Sequence, residues 1–342
     1  HSVTKLREIG IQPDVLLCRT DRNLSTELRK KISLFTNVTY DAVIQAKDVS
    51  CVYEVPLRFH DEGLDDKIVE LLQLWTKRSN LQKWADIIHS FKKPRDEVNI
   101  GVAGKYVNLR DSYKSLHEAL DHAGIALNLK VNIIYIDSET INNQNDAKKW
   151  NDCDGILIPG GFGERGVEGK IQMVQYAREN KIPYFGICYG MQMAVIEWAR
   201  NMNGFKKANS AEVDQNTPEN VIDLMAEQKN VKDMGGTMRL GAYPAKLKEG
   251  TKIAEIYEAT EISERHRHRF EVNNKFVAEL ESTGLIISGK NEKLDLVETI
   301  EIPDHPWFIG VQYHPEFKSK PIAAHPLFYR FVEAAFSYRQ DR

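Results

Sequence analysis

Three stretches of this 342-residue chain combine residue types suited to acyl transfer. The first is Phe185-Gly186-Ile187-Cys188-Tyr189-Gly190-Met191-Gln192. The apolar run 182–187 reads as a short strand and 191–200 as an amphipathic helix, with a thiol at the turn between them. A nucleophile placed there projects from a strained corner at the sheet edge. The helix that follows aims its N-terminal N–H groups and positive dipole end at a thiolate. The Gly-x-Cys-x-Gly setting permits a tight turn. A cysteine ending an apolar strand is more often plain packing, so Cys188 needs a base nearby to act as a nucleophile.

The second stretch, Gln312-Tyr313-His314-Pro315-Glu316-Phe317, follows the apolar run 307–311. His314 would sit at a strand end, with Glu316 two residues on and Pro315 stiffening the link. A carboxylate so placed orients the imidazole and stabilises its cation. Alone, the pair reads as a surface histidine with an incidental acid. With the cysteine corner it completes a Cys-His-Glu set. The third stretch, Pro159-Gly160-Gly161-Phe162-Gly163-Glu164-Arg165-Gly166, is a glycine-rich loop after a buried strand. Its N–H groups suit an anion. It lacks the GxxxxGK[ST] spacing of a phosphate loop. Beside a thiol nucleophile, the N–H groups of Gly161 and Tyr189 would face a tetrahedral oxyanion.

The elements that must position these residues follow an alternating pattern. Strands are expected at 98–103, 131–136, 155–158, 182–187 and 307–311, with helices at 112–123 and 167–179. That alternation argues for an α/β fold with a mainly parallel sheet covered on both faces. Functional groups then collect at the carboxyl ends of strands. Residues 205–260 are less regular and read as loops and antiparallel strands. Ahead of this lie a strand at 14–18, a helix begun near Ser25 or Thr26, and a strand near 52–55. Next come a helix capped by Asp65 with Ile68, Leu71, Leu72 and Trp75 on its apolar face, and a segment at 81–91. The charged, proline-bearing stretch 92–96 reads as the boundary between two domains, 1–92 and 93–342.

Composition narrows the class. A net charge of -3 gives no general attraction to nucleic acid or anionic membrane. No run of eighteen or more apolar residues is present. Cys18, Cys51, Cys153 and Cys188 form no CxxC pair, which speaks against zinc and thioredoxin-like chemistry. With no secretory signal in the chain as given, they are expected to be cytosolic thiols, Cys18 as a small packing residue. His266 and His268 have a spacing that can hold a metal on a strand, but the interleaved arginines oppose a cation.

Gly186 to Gln192 together with His314-Pro315-Glu316 resembles the class I glutamine amidotransferases. Pro159 to Lys170 (PGGFGERGVEGK), Met234 to Gly241 (MGGTMRLG), Arg265 to Asn274 (RHRHRFEVNN) and the opening HSVTKLREIGIQPDVLLCRTDR resemble the CTP synthase family within it. The resemblance covers essentially the whole chain. It implies a glutamine amidotransferase domain at 93–342, preceded at 1–92 by the C-terminal part of a P-loop-like amidoligase (synthetase) domain with linker helices. It implies a thioester at Cys188, with His314 and Glu316 as its partners. Glutamine would be held by Gly161, Phe162, Tyr189, Gly190, Met191, Gln192, Glu212 and Arg269. Glu212 would take the ammonium, and Arg269 would fork onto the carboxylate. Lys31 matches a pyrimidine-nucleotide phosphate contact, and Lys47, Asp48 and Val49 match a segment meeting the ATP adenine. The full enzyme of such a family is a cytoplasmic ligase of pyrimidine biosynthesis and a homotetramer. It uses glutamine, UTP, ATP and Mg2+, with GTP as activator and CTP as inhibitor.

Two departures accompany the resemblance. Tyr189 stands where that family usually has leucine and the GMP-synthetase branch often has tyrosine; its backbone N–H role is unaffected. The chain also carries neither the ATP phosphate loop nor the Mg2+-binding acids of a synthetase domain. It is therefore expected to be the C-terminal part of a longer protein, retaining the glutaminase half-reaction alone and no metal site. The rival readings are another amidotransferase of GMP-synthetase type and a non-catalytic oligomerisation fragment.

Overall fold

The computed structural model describes residues 1–77, 79–104, 113–141, 150–224 and 238–342. They form two compact units, His1–Lys93 and Pro94–Arg342. No helix among the described residues is long and apolar enough to cross a membrane.

The first unit contains α1 (Ser2–Glu8), β1 (Leu16–Thr20), α2 (Thr26–Thr36), β2 (Val43–Lys47), α3 (Val55–Asp61), α4 (Leu64–Leu71) and α5 (Gln82–Lys92). β1 and β2 pair in parallel, Leu16 opposite Val43. Val38, Ala42 and Val43 form a small core against which Cys18 packs half-buried. Ser25 caps α2 by accepting from the Leu28 N–H at 3.2 Å.

Two sequence-based expectations fail in this unit. The strand expected near 52–55 is a 3-10 turn leading into α3, and the strand of this region is β2. Pro56 explains the outcome: it has no N–H for a ladder but fits the first turn of a helix. Asp65 does not cap a helix. Gly63, at φ 79, holds the cap position of α4, and Asp65 bonds His60 and Ser79 instead. Ile68, Leu71, Leu72 and Trp75 are exposed. The buried member of α4 is Lys67, whose ammonium meets Asp41 at 2.7 Å and Glu70 at 3.1 Å.

The second unit opens with β3 (Asp96–Gly104), α6 (Lys114–Leu127), β4 (Leu129–Asp137), β5 (Gly155–Ile158), α7 (Val167–Glu179), β6 (Tyr184–Ile187) and α8 (Tyr189–Asn201). It continues through β7 (Asn209–Ser210), β8 (Asn220–Leu224), β9 (Arg239–Leu247), α9 (Lys252–Tyr257), β10 (Glu261–His268) and β11 (Phe270–Val272). It closes with α10 (Val277–Ser282), β12 (Ile286–Asn291), β13 (Leu296–Glu301), β14 (Phe308–Val311) and α11 (Pro326–Asp341). Nine described strands form one sheet in the order β10-β9-β12-β13-β14-β6-β5-β3-β4. The five from β14 to β4 run parallel, and the pairs on the other side are antiparallel.

β5 and β6 are buried at every residue, as strands covered on both faces must be. Their side chains alternate between two cores. Ile156, Ile158 and Tyr184 face one cluster, while Leu157, Phe185 and Ile187 face the other, where Phe328 and Phe331 of α11 pack. α8 is buried from Tyr189 to Ala199, so it is enclosed rather than amphipathic in its exposure. Its one internal charge, fully buried Glu197, is held by the Arg178 guanidinium at 2.7–3.1 Å.

Candidate active site

β6 and β14 are neighbours in the sheet, with Val311 opposite Ile187. The residue after β6 is Cys188, and three residues past β14 is His314. Sheet order thus joins groups 126 positions apart in the chain.

The corner at Cys188 is strained, with φ 50 and ψ -100. A non-glycine residue held there costs about 1–3 kcal/mol and persists only where the surroundings over-determine it. They do so here. The Cys188 N–H donates to the Val311 carbonyl at 2.6 Å, and the Gln192 N–H closes the first turn of α8 onto the Cys188 carbonyl at 3.2 Å. The flanking glycines act by close approach. A Cβ on Gly190 would lie 2.1 Å from the Ile158 carbonyl oxygen, and one on Gly186 would lie 2.8 Å from the Gly190 backbone. The unusual backbone angle therefore falls on the cysteine, and the glycines let the helix fold back over the strand ends. The N–H groups of Tyr189, Gly190 and Met191 precede the first intrahelical bond, so the positive end of α8 lies at the thiol.

His314 is fixed from several sides. Its N–H donates to the Arg265 carbonyl at 2.8 Å. Its Nδ1 meets Glu316 Oε1 at 2.8 Å. The Phe317 ring stacks on it with centroids 5.4 Å apart. The backbone of Gly160 lies against the imidazole edge: a Cβ there would stand 2.5 Å from His314 Cε1. Nδ1 is committed to Glu316, so Nε2, which makes no conventional hydrogen bond, is the nitrogen left for chemistry. Burial pulls the His314 pKa down, but the Cys188 side chain and the Glu316 carboxylate raise it more, to about 10. The imidazolium is thus the favoured form of His314 in this setting.

Cys188, His314, Glu316, Gly160 and Gly161 line one cavity of about 560 Å³. Of the remaining residues implied for glutamine, Phe162, Tyr189, Gln192, Glu212 and Arg269 also line it. Gly190 and Met191 are not among its lining residues. Met191 lies fully buried in the core, and Gly190 makes the close approach to Ile158. Glu212 accepts from the Gly163 N–H at 3.0 Å. Gln192 Nε2 donates to the Phe270 carbonyl at 2.9 Å and to Gln312 Oε1 at 3.2 Å.

Sequence reasoning passed over Gln312, whose Nε2 lies 3.6 Å from the Cys188 sulfur, and Phe317, the ring behind His314. Both sit inside the QYHPEF stretch, so adjacency to the histidine was the available signal. Lys170, also on the cavity wall, was seen only as the end of a motif.

Behind the cavity lies a buried charged cluster. Arg239 of β9 pairs with Glu271 and Glu298. His266 and His268 bond each other at 2.9 Å. Burial, then the Arg239 charge, pushes His266 down to about 2 and His268 well below its ordinary range. Both imidazoles are therefore neutral at ordinary pH. His268 reaches the cavity wall with Arg267 and Arg269. Of the MGGTMRLG stretch, residues 234–237 lie outside the described residues; Met238 lines the cavity and Arg239 begins β9.

In the first unit, Lys47, Asp48 and Val49 line a separate polar pocket of about 550 Å³ with Asn23, Gln45, Ser50 and Glu54. Lys31, on the exposed side of α2, is not among its lining residues.

Comparison with known proteins adds an independent line. Residues 108–334 match the family model described as glutamine amidotransferase class-I, and residues 1–74 match CTP synthase N-terminus. Over its full length the chain is 56% identical to a CTP synthase of Syntrophus aciditrophicus and 52% identical to one of Geobacter sulfurreducens. It spans 64% of the length of each of those relatives. Among solved structures, the glutaminase domain of Trypanosoma brucei CTPS with bound acivicin is 39% identical, with a TM-score of 0.67, over 70% of this chain and 94% of that one.

Proposed function

The chain belongs to the class-I glutamine amidotransferases, on the CTP synthase branch, and from that premise we propose that its second unit hydrolyses glutamine to glutamate and ammonia. One observation carries the proposal: the strained thiol at the N-terminus of α8 shares a cavity with an imidazole already held by a carboxylate. The Cys188 thiolate attacks the side-chain amide carbon. The N–H groups of Gly161 and Tyr189 receive the oxyanion. The His314 imidazolium gives its Nε2 proton to the departing nitrogen, which leaves as ammonia and a γ-glutamyl thioester remains. His314, now neutral, takes a proton from water as that water attacks the thioester. Glutamate leaves, and the thiolate–imidazolium pair is restored. Glu316 orients the ring throughout. Glu212 takes the substrate ammonium and Arg269 its carboxylate, with Phe162 and Gln192 on the wall; Gly190 and Met191 support the corner from behind.

Glu316→Gln is expected to lower the pH at which the His314 ring titrates, because one of the two groups that raise it is lost. Glutamine hydrolysis should fall by about 10²-fold. NMR of the labelled imidazole and an ammonia assay check both. An unchanged titration midpoint would contradict the role given to Glu316.

We extend the proposal to the longer protein of which this chain spans the matching part in its relatives. There the ammonia would aminate ATP-activated UTP to CTP, with GTP as activator, CTP as inhibitor and a cytoplasmic homotetramer as the working form. The pocket containing Lys47, Asp48 and Val49 supports an adenine contact through its polar lining. Lys31 would meet a pyrimidine-nucleotide phosphate from exposed α2. For Mg2+, no group of three or more His, Cys, Asp or Glu suited to a metal occurs among the described residues, so no step is assigned to it. The match of residues 1–74 favours this reading over a GMP-synthetase type. The test is ammonia release from glutamine by the chain, with and without GTP. Hydrolysis above a no-enzyme control is expected, and its absence would point to the oligomerisation-fragment reading.

A further inference from the structure

The glycine-rich loop that precedes α7 is held at Gly163 by two side chains. Gly163 sits at φ 78, a backbone conformation that favours glycine. Its N–H donates to Glu212 Oε1 at 3.0 Å, and its carbonyl accepts from the Tyr189 hydroxyl at 2.5 Å. One residue therefore links the first residue of α8 to the carboxylate that faces the cavity. Tyr189 itself is nearly inaccessible, 2% exposed, in the wall of a helix end fixed by the Cys188 corner. Its ring also backs the loop: a Cβ on Gly161 would stand 3.7 Å from Tyr189 Cδ1. Further along, the Lys170 ammonium lies 5.8 Å from the centre of that ring and donates to the Arg165 and Gly166 carbonyls at 3.3 Å. The loop is thus tied at Gly163, Arg165 and Gly166 to two buried side chains, Tyr189 and Lys170.

We propose that Tyr189 is a positioning residue for glutamine, its hydroxyl fixing the backbone at Gly163 through the Gly163–Glu164 carbonyl so that the adjoining Gly163 N–H presents the Glu212 carboxylate to the substrate ammonium. This rests on the reading of the cavity as a glutamine site. Burial raises the phenol's pKa, with the Glu212 charge adding to the effect, so the hydroxyl stays a donor across the working range. Glu212 accepts from the N–H of the Phe162–Gly163 peptide, and the Tyr189 hydroxyl anchors the next peptide, Gly163–Glu164, across the shared Gly163 Cα. Without the anchor the φ and ψ of Gly163 are freer to change, the N–H loses its fixed direction, and the carboxylate must be ordered at the moment of binding. The cost appears as weaker substrate binding rather than as a slower chemical step.

Glutamine binding is measured by titration calorimetry with Cys188→Ala present in every protein, so that the ligand survives. Adding Tyr189→Phe, which removes only the hydroxyl, should weaken binding by about 3–10-fold, the scale of one hydrogen bond. In a Glu212→Gln background the same change should cost less than about twofold, because the two residues act as one unit. A merely structural role for the phenol would instead give the same factor in both backgrounds. Equal affinity with and without the hydroxyl, equal losses in both backgrounds, or no glutamine binding at all would overturn the proposal. Ammonia release by the protein with Cys188 intact is read separately, so a failure of hydrolysis counts against the catalytic reading and not against this one.

Discussion

Cys188→Ala is expected to lower glutamine hydrolysis by at least about 10³-fold, in line with removal of a nucleophile that acts as a unit with its base. Alanine keeps the backbone bonds that define the corner, since these run from the N–H to Val311 and from the carbonyl to Gln192. It also keeps His314 bonded to Glu316. What is lost is the sulfur, and with it one of the charges that raise the His314 pKa. The variant should therefore fold with nearly the parent stability, bind glutamine and release no ammonia, while its His314 ring titrates at lower pH. Ammonia release measured beside a thermal melt separates these outcomes. Hydrolysis at the parent rate would remove Cys188 from the mechanism.

Arg239→Met is expected to produce the largest loss of stability. Arg239, Glu271 and Glu298 are 2%, 2% and 0% exposed. Taking the guanidinium away strands two carboxyls in the core. Breaking a buried ion pair from one side costs about 3–5 kcal/mol. The pH dependence has a definite sign. Burial already raises Glu298 to about 7 and Glu271 well above its ordinary value, against the lowering effect of Arg239. Without that cation both rise further. A carboxyl with a folded pKa above its unfolded value binds protons preferentially in the folded state, so stability falls as pH rises through that window. The variant should therefore lie closer to the parent at pH 5 than at pH 8. Urea unfolding at the two values checks this. A loss below about 1 kcal/mol at pH 8, or an equal loss at both, would contradict the electrostatic account.

The strands and helices around the cavity were legible because their signals are local. Gly155–Ile158 and Tyr184–Ile187 are short apolar runs bounded by glycine, proline or charge, and Val167–Glu179 starts directly after a left-handed glycine. The corner at Cys188 was legible for the same reason, although the strain proved to sit on the cysteine itself. Pairing between distant segments was not. β14 enters the sheet beside β6 after more than a hundred intervening residues, and nothing in residues 307–311 names that neighbour. On the antiparallel side only β9 falls within residues 205–260, the stretch expected to hold loops and antiparallel strands; β10, β12 and β13 lie beyond it, and their places are set by long-range ladders. In the first unit, apolar spacing after Asp65 indicated a core face, yet those side chains point outward and Lys67 is the buried residue. Periodicity identifies a helix face but not what covers it. Gln312 escaped notice because an amide beside a sulfur has no pattern of its own until the fold brings them to 3.6 Å.

The most direct measurement is acid quenching during turnover of glutamine carrying carbon label in its side-chain carbonyl, followed by mapping of the labelled peptide. The account predicts label on the peptide containing Cys188, released by hydroxylamine as a thioester would be and absent from Cys188→Ala. Ammonia release that proceeds while label is missing from Cys188, or is found on another residue, would contradict it.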